Sequence, residues 1–177
     1  MRNVLFIFAG FDDGDVAWLA SVGTTRHLAP GDVLVEQGRP VDDLFVVLQG
    51  EVVVEVAGAG VVARRGAGEI IGEMSFVDSA PPSATVRAGD PTIVFAVAKA
   101  VVAERLAANT GFAARFYRAL ALYLADRLRE ATARGRSADG AVESDLDELV
   151  LDGVSIAGMR FRGFIDTLAG AGRRNAL

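Results

Sequence analysis

Residues 68–88 read G-E-I-I-G-E-M-S-F-V-D-S-A-P-P-S-A-T-V-R-A, and this stretch decides how the chain folds. A short apolar run ends at Gly72, a segment of helical character covers Glu73–Phe76, and a proline pair precedes a second β-branched run. A glycine turn followed by a helical segment aims backbone N–H groups at one point, which favours an anion. The stretch therefore predicts two strands separated by a candidate anion-binding loop.

On both sides of this stretch, from Thr24 to Ala98, brief β-branched runs alternate with turn residues. Pro30-Gly31-Asp32 is one predicted reversal, and Gln49-Gly50-Glu51 is another because glycine adopts positive φ readily. The pattern predicts about eight strands in an antiparallel barrel or jelly roll. Its clearest strands are predicted at 33–35, 44–48, 52–56, 61–64, 69–71, 84–87 and 92–97.

Helical periodicity flanks the β region. A short helix is predicted from Asp12 to Val22, with Asp12 or Asp13 as its N-cap, and further helices over 101–108 and from Gly111 to about Ala133. Within the last of these, apolar residues recur every four positions, namely Phe112, Phe116, Leu120, Leu124 and Leu128. This stripe offers more hydrophobic surface than a barrel covers, so we expect a homodimer through the helix 111–134.

The chain after the long helix has a different character. Residues 135–140 are predicted to form a flexible break, Ser144 to begin a capped helix, and residues 156–168 to be helical. This segment carries five Arg against seven Asp and Glu. It is too short for a further DNA-binding domain, and its charge balance disfavours DNA as a partner.

Composition narrows the functional classes. The 177 residues carry a net charge of −5, no Cys and a single His, which disfavours thiolate and histidine metal sites. The apolar run Val4–Phe11 is about half the length of a membrane span, so we expect a cytoplasmic chain without one. The acid pairs Asp12-Asp13 and Asp42-Asp43 are interpreted as cap and turn residues. No nucleophile motif accompanies His27, so we do not expect an enzyme.

Consecutive motifs resemble the cyclic nucleotide-binding domain family. They are P-G-D-x-L at 30–34, Gly38, D-x-L-F-x-V at 42–47, G-E-V-x-V at 50–54, I-G-E-M-S at 71–75 and S-A-T-V-R-A at 83–88. The resemblance implies a mainly β fold, an antiparallel β-jelly-roll (double-stranded β-helix) with flanking helices and a long C-terminal helix. The expected organisation is a domain at 1–134, without the winged helix of the transcription factors, and a helical extension at 135–177.

The resemblance also implies a ligand, cyclic AMP or cyclic GMP, and no other cofactor. The residues that it places at the ligand are Gly72, Glu73, Met74, Ser75, Pro82, Ser83, Ala84, Val54, Val62 and Arg127. Glu73 would accept a hydrogen bond from the ribose 2′-hydroxyl, and Ser83 and Ala84 would donate to the cyclic phosphate. Val54 and Val62 would line the base site. The alternatives are that Glu73 caps local N–H groups, that Ser83 is a turn hydroxyl and that both valines belong to the core.

One position departs from the family pattern. Pro82 stands where the family places an arginine, so a charge-assisted clamp on the phosphate is missing. We expect Glu73 to lack its cationic neighbour and Arg87 to point to the opposite face from Val86. Arg127 could substitute in part. Two hypotheses remain: a weakly binding or non-standard sensory module that acts through an unidentified protein partner, and a ligand-free scaffold for homo-oligomerisation or docking.

Overall fold

The computed structural model describes residues 8–136 and 157–168, and the elements below lie in those ranges. The helices are α1 (Asp13–Val22), α2 (Glu73–Val77), α3 (Lys99–Ala108), α4 (Thr110–Arg136) and α5 (residues 157–168), and residues 8–10 are also helical. The strands are β1 (Thr24–Leu28), β2 (Val33–Val35), β3 (Asp43–Gln49), β4 (Glu51–Val56), β5 (Gly60–Gly66), β6 (Ile70–Ile71), β7 (Thr85–Ala88) and β8 (Thr92–Ala98). The order of elements agrees with the sequence prediction.

The strands form two antiparallel four-stranded sheets, ordered β1-β8-β3-β6 and β2-β7-β4-β5. The tight reversal between β3 and β4 requires glycine, because Gly50 has φ +82° and a Cβ there would lie 2.6 Å from the Pro91 carbonyl oxygen. The mainly β fold, two antiparallel sheets with flanking helices and a long helix after them, is confirmed. It matches the jelly roll expected from the resemblance.

The first sheet is covered on both faces. In β3, Phe45 and Val47 face the second sheet, whereas Leu44 and Val46 face the helices. Strand β8 alternates in the same way, so both strands are continuous apolar runs rather than alternating ones. The helices are therefore required by the sheet, since without them one apolar face of β3 and β8 would be exposed to water.

Helix α1 begins with a complete capping box. The backbone N–H of Asp15 donates to the Asp12 carboxylate at 2.8 Å, and the N–H of Asp12 donates to the Asp15 carboxylate at 3.1 Å. Asp15 also accepts two hydrogen bonds from Arg115 of α4, at 2.6 and 2.8 Å. The predicted N-cap at Asp12 is confirmed, and the cap also joins α1 to α4.

Helix α4 is more deeply covered by its own domain than the sequence suggested. Leu120 is 4% exposed, and the ring of Phe116 packs against Phe11, Phe76 and Phe112. The expectation that Phe116 and Leu120 present free surface is therefore wrong, because the N-terminal segment and α2 cover them. The large apolar side chains of α4 that are exposed are Tyr117, Leu122 and Leu128.

Helix α5 packs against the outer face of the first sheet and the N-terminal segment. Phe164 is fully buried, with its ring centroid 4.9 Å from that of Phe95 and 5.3 Å from that of Phe8. Arg160 contacts Asp13 at 3.1 Å and donates to the Phe8 carbonyl at 3.3 Å. The helical prediction holds for residues 157–168. The capped start at Ser144 and most of the predicted break at 135–140 lie outside the described residues.

No helix within residues 8–136 and 157–168 is both long enough and apolar enough to cross a bilayer. Half of the apolar run Val4–Phe11, residues 4–7, precedes these ranges.

We predict that Phe164→Ala lowers the free energy of unfolding by about 3–5 kcal/mol, the usual cost of emptying a buried aromatic site. Met159→Ala is the matched control on the same helix, where the side chain is 63% exposed and the expected change is within about 0.5 kcal/mol. Urea denaturation of the full chain measures both. Equal effects of the two substitutions would contradict the packing of α5 on the sheet.

Candidate ligand-binding site

The candidate site is built on residues 71–85, which we call the cassette. Strand β6 ends at Ile71, and Gly72 turns the chain with φ +90° into α2. A Cβ at Gly72 would lie 3.0 Å from the Asp43 carbonyl oxygen, so both conformation and space favour glycine. The predicted turn and short helical segment are confirmed.

The cassette encloses one side of a cavity of about 80 Å³. The residues lining it are Val35, Val54, Ile71, Gly72, Glu73, Met74, Ser75, Pro82, Ser83, Ala84, Val86 and Arg127. Nine of the ten residues proposed from the sequence are in this set. The tenth, Val62, lies at a bulge in the pairing of β4 with β5, is 44% exposed and does not line the cavity.

A buried ion pair joins the cassette to α4. The guanidinium of Arg127 donates to the carboxylate of Glu73, and the two side chains are 21% and 4% exposed. Burial raises the pKa of Glu73 above its ordinary value, while Arg127 and the residue's own backbone N–H oppose that shift. The expectation that Glu73 lacks a cationic neighbour is therefore wrong. The long helix supplies the cation that the cassette does not.

Tyr123 sets the position of α4 on the cassette. Its ring is fully buried, and its hydroxyl accepts from the Ile70 N–H at 3.1 Å and lies 2.9 Å from both the Ile70 carbonyl and Glu69. Arg127 follows one helical turn later, with its guanidinium 5.6 Å from the Tyr123 ring centroid. The periodicity of the sequence assigns Tyr123 only to the apolar stripe of this helix. Because a buried tyrosine hydroxyl needs a hydrogen-bond partner, a tyrosine within the apolar stripe was the sequence feature that could have indicated this contact.

A second charged contact holds the end of α4 against the second sheet. Arg65 of β5 is 7% exposed and contacts Glu130 of α4 at 2.9 Å. Sequence reasoning missed this pair, because the two residues are 65 positions apart and neither lies in a motif.

Pro82 occupies the cavity wall without offering a donor, since proline has no backbone N–H. Its carbonyl oxygen accepts from the Gly38 N–H at 2.8 Å, which holds the loop in place. Ser83 is exposed beside it. Arg87 contacts Glu55 at 3.3 Å while Val86 lies in the core, so the predicted alternation of this strand is confirmed. Arg87 does not line the cavity.

Ser75 has a partner that the sequence did not indicate. Its hydroxyl donates to the Gly72 carbonyl at 3.1 Å and receives a hydrogen bond from the Lys99 ammonium at 2.6 Å. Burial lowers the pKa of Lys99, although Asp42 and Glu73 act against that shift. Lys99 begins α3, so this contact joins the cassette to the helix that precedes α4.

Comparisons with known proteins agree with this geometry. The family described as "Cyclic nucleotide-binding domain" matches residues 25–109. A crystal structure of a cyclic nucleotide-binding domain from Methylobacillus flagellatus KT is similar with TM-score 0.68 at 28% identity, covering 82% of this chain and 85% of that chain. The N-terminal domain of a transcriptional regulator from Streptomyces coelicolor gives TM-score 0.59 at 30% identity, covering 82% and 99%.

A curated relative is much longer than this chain. An NTE family protein of Mycobacterium tuberculosis is 29% identical over 144 residues, which are 81% of this chain and 24% of that protein. The chain thus spans about a quarter of the relative's length. Proteins of the matched family are generally regulatory rather than catalytic. With the jelly roll, the cassette and the matched residues 25–109 in agreement, the chain belongs to the cyclic nucleotide-binding domain family.

Proposed function

We propose that this chain is a regulatory module that binds a cyclic nucleotide weakly, or a non-standard ligand instead, and acts through a partner protein. The observation that carries this proposal is the cavity at the cassette, where a buried carboxylate on α2 meets an arginine on α4. A ligand that contacts Glu73 changes the environment of Arg127, and through it the position of the long helix. Ligand binding and the proposed change in the position of α4 therefore both depend on the Glu73–Arg127 pair.

The proposed weakness of binding follows from Pro82. A hydrogen bond to a charged group contributes about 1.5–3 kcal/mol, and about 1.4 kcal/mol corresponds to a tenfold change in affinity. Arg127 is the cation at the cavity, but it is already paired with Glu73. A cyclic phosphate must compete for that guanidinium or do without it.

We further propose that α4 pairs with a second copy. Tyr117 and Leu128 are 51% and 69% exposed, and they lie on one face of the helix with Ala121 and Leu124 between them. Exposed apolar side chains aligned over three turns are typical of a helix that packs on a partner. A twofold axis beside α4 would place the two copies of this helix, each of which carries Arg127, against each other.

A ligand-free scaffold is the second candidate function. The observation that favours it is that Glu73 and Arg127 satisfy each other inside the chain. An internal pair of this kind holds the cassette and α4 together without any ligand. Saturable binding of a nucleotide that contacts Glu73 would contradict this alternative, whereas no binding to the intact chain would support it.

We predict that Pro82→Arg tightens binding of cyclic AMP or cyclic GMP by about 10- to 100-fold, because it adds a charge-assisted clamp on the phosphate. Isothermal titration calorimetry on the full chain measures the change. Pro81→Arg, at the exposed neighbouring position, is the matched control and should leave the affinity unchanged. A Pro82→Arg protein that folds and gains no affinity would show that the cassette does not hold a phosphate.

We predict that Arg127→Met lowers the free energy of unfolding by about 3 kcal/mol, because it leaves Glu73 buried without its cation. The loss depends on pH. The folded pKa of Glu73 already lies above its ordinary value and rises further in the variant, so the native state takes up a proton more readily than the unfolded state. The deficit against wild type is therefore largest at neutral pH and shrinks as pH falls through the folded pKa of Glu73.

Urea denaturation across the pH range measures this effect. Arg129→Met is the control, because Arg129 is exposed on the same helix. We expect its loss to change the free energy of unfolding by less than about 0.5 kcal/mol. A deficit in Arg127→Met that stays constant with pH would show that Glu73 is not the group left unpaired.

We predict that the wild-type chain is a dimer in the micromolar range by light scattering, and that Leu128→Glu converts it to a monomer by placing a charge in the apolar contact. Met159→Glu makes the same change on α5 and should remain dimeric. A wild-type monomer, or a dimer that survives Leu128→Glu, would contradict pairing through α4.

A further inference from the structure

The charges of the cavity bear on which ligand it accepts. Of the described residues that line it, only Glu73 and Arg127 carry a charge, and they are in contact with each other. Pro82 contributes apolar surface to the cavity at the position where the family pattern has an arginine. An anion bound here would have no cation of its own, and burying an unpaired charge is costly.

The backbone offers limited compensation for this lack of positive charge. Helix α2 has only five residues, so few peptide dipoles align at its N-terminus. The hydroxyl of Ser75 is engaged by the Gly72 carbonyl and the Lys99 ammonium. Ser83 and Ala84 also line the cavity, but neither supplies a positive charge. Among the described lining residues, Arg127 is thus the one cation that a phosphodiester could contact, and it is paired with Glu73.

The same lining suits an uncharged ligand with one polar and one apolar part. A carboxylate such as that of Glu73 accepts hydrogen bonds from hydroxyl groups. This carboxylate lines the cavity and contacts Arg127. The cavity is also lined by three apolar side chains, Val35, Val54 and Val86, which we call the valine wall. A flat ring fits against such a wall, and hydroxyls on an attached sugar reach the carboxylate.

We propose that the cavity binds an uncharged nucleoside in preference to a cyclic nucleotide, with the ribose hydroxyls on Glu73 and the base against the valine wall. This inference rests on the proposed function, since it names the ligand class of the same site. The preference for an uncharged ligand follows from the absence of an arginine at position 82. A neutral sugar loses nothing from the missing cation, whereas a phosphate loses its main anchor.

The test is calorimetry on the full chain with adenosine, guanosine, cyclic AMP and cyclic GMP, repeated with 2′-deoxyadenosine and on Pro82→Arg. We expect each nucleoside to bind the wild-type chain at least about tenfold more tightly than its cyclic nucleotide. Pro82→Arg should reverse that preference. 2′-Deoxyadenosine lacks the hydroxyl that would contact Glu73, so this contact is tested without changing the Glu73–Arg127 pair of the protein. We expect 2′-deoxyadenosine to bind at least about tenfold more weakly than adenosine.

The outcomes separate this inference from the proposed function. Cyclic nucleotides that bind the wild-type chain as tightly as nucleosides would overturn the inference and leave a nucleotide sensor. Equal affinity for adenosine and its 2′-deoxy form would show that the ribose 2′-hydroxyl does not contact Glu73. A preference for nucleosides that is unchanged in Pro82→Arg would show that position 82 does not determine that preference. No binding of any ligand would overturn both proposals and favour the scaffold.

Discussion

Strands β3 and β8 bury side chains on both faces, and the remaining elements are arranged to satisfy that requirement. One face of this pair closes the sandwich with the second sheet, and the other needs a cover of helices. Helices α1, α3, α4 and α5 provide that cover. Because α4 is held on the sheet by buried residues such as Phe112 and Leu120, the part of it that extends past the sheet reaches the cassette in a defined position.

At the cassette the helix makes polar contacts instead of apolar ones. Tyr123 bonds to the backbone of β6, Arg127 pairs with Glu73, and Glu130 contacts Arg65 of the second sheet. Such buried polar groups contribute little net stability, but removing one partner is expensive. They therefore specify the register of α4 against the cassette. A ligand that competes for one member of this set acts on the helix directly.

The site combines the fold of the family with an altered charge arrangement. Its backbone turn, its buried carboxylate and its apolar wall are those that the family motifs imply, while the cation comes from the helix and is already occupied. That arrangement is compatible with a sensor of an uncharged ligand and with a scaffold that has no ligand. The two differ in whether the Glu73–Arg127 pair opens, which is a property of the pair and not of the fold.

The sequence pattern by itself determined the order of the strands and helices, the turn at Gly72 and a helix cap at Asp12 or Asp13, because these follow from local periodicity and from residue types that favour turns and caps. That pattern left a barrel or a jelly roll open, and the resemblance to the family implied the jelly roll. Nine of the ten residues proposed from the sequence line the cavity, and most of them lie in short contiguous motifs. Their contact with a ligand stays a prediction. The tertiary structure alone decided that Arg127 neutralises Glu73, that Lys99 contacts Ser75, that Phe116 and Leu120 are covered, and that α5 packs on Phe8 and Phe95. These contacts join residues that are distant in the chain, and no local pattern records which long-range partners the packing of α4 and α5 brings together.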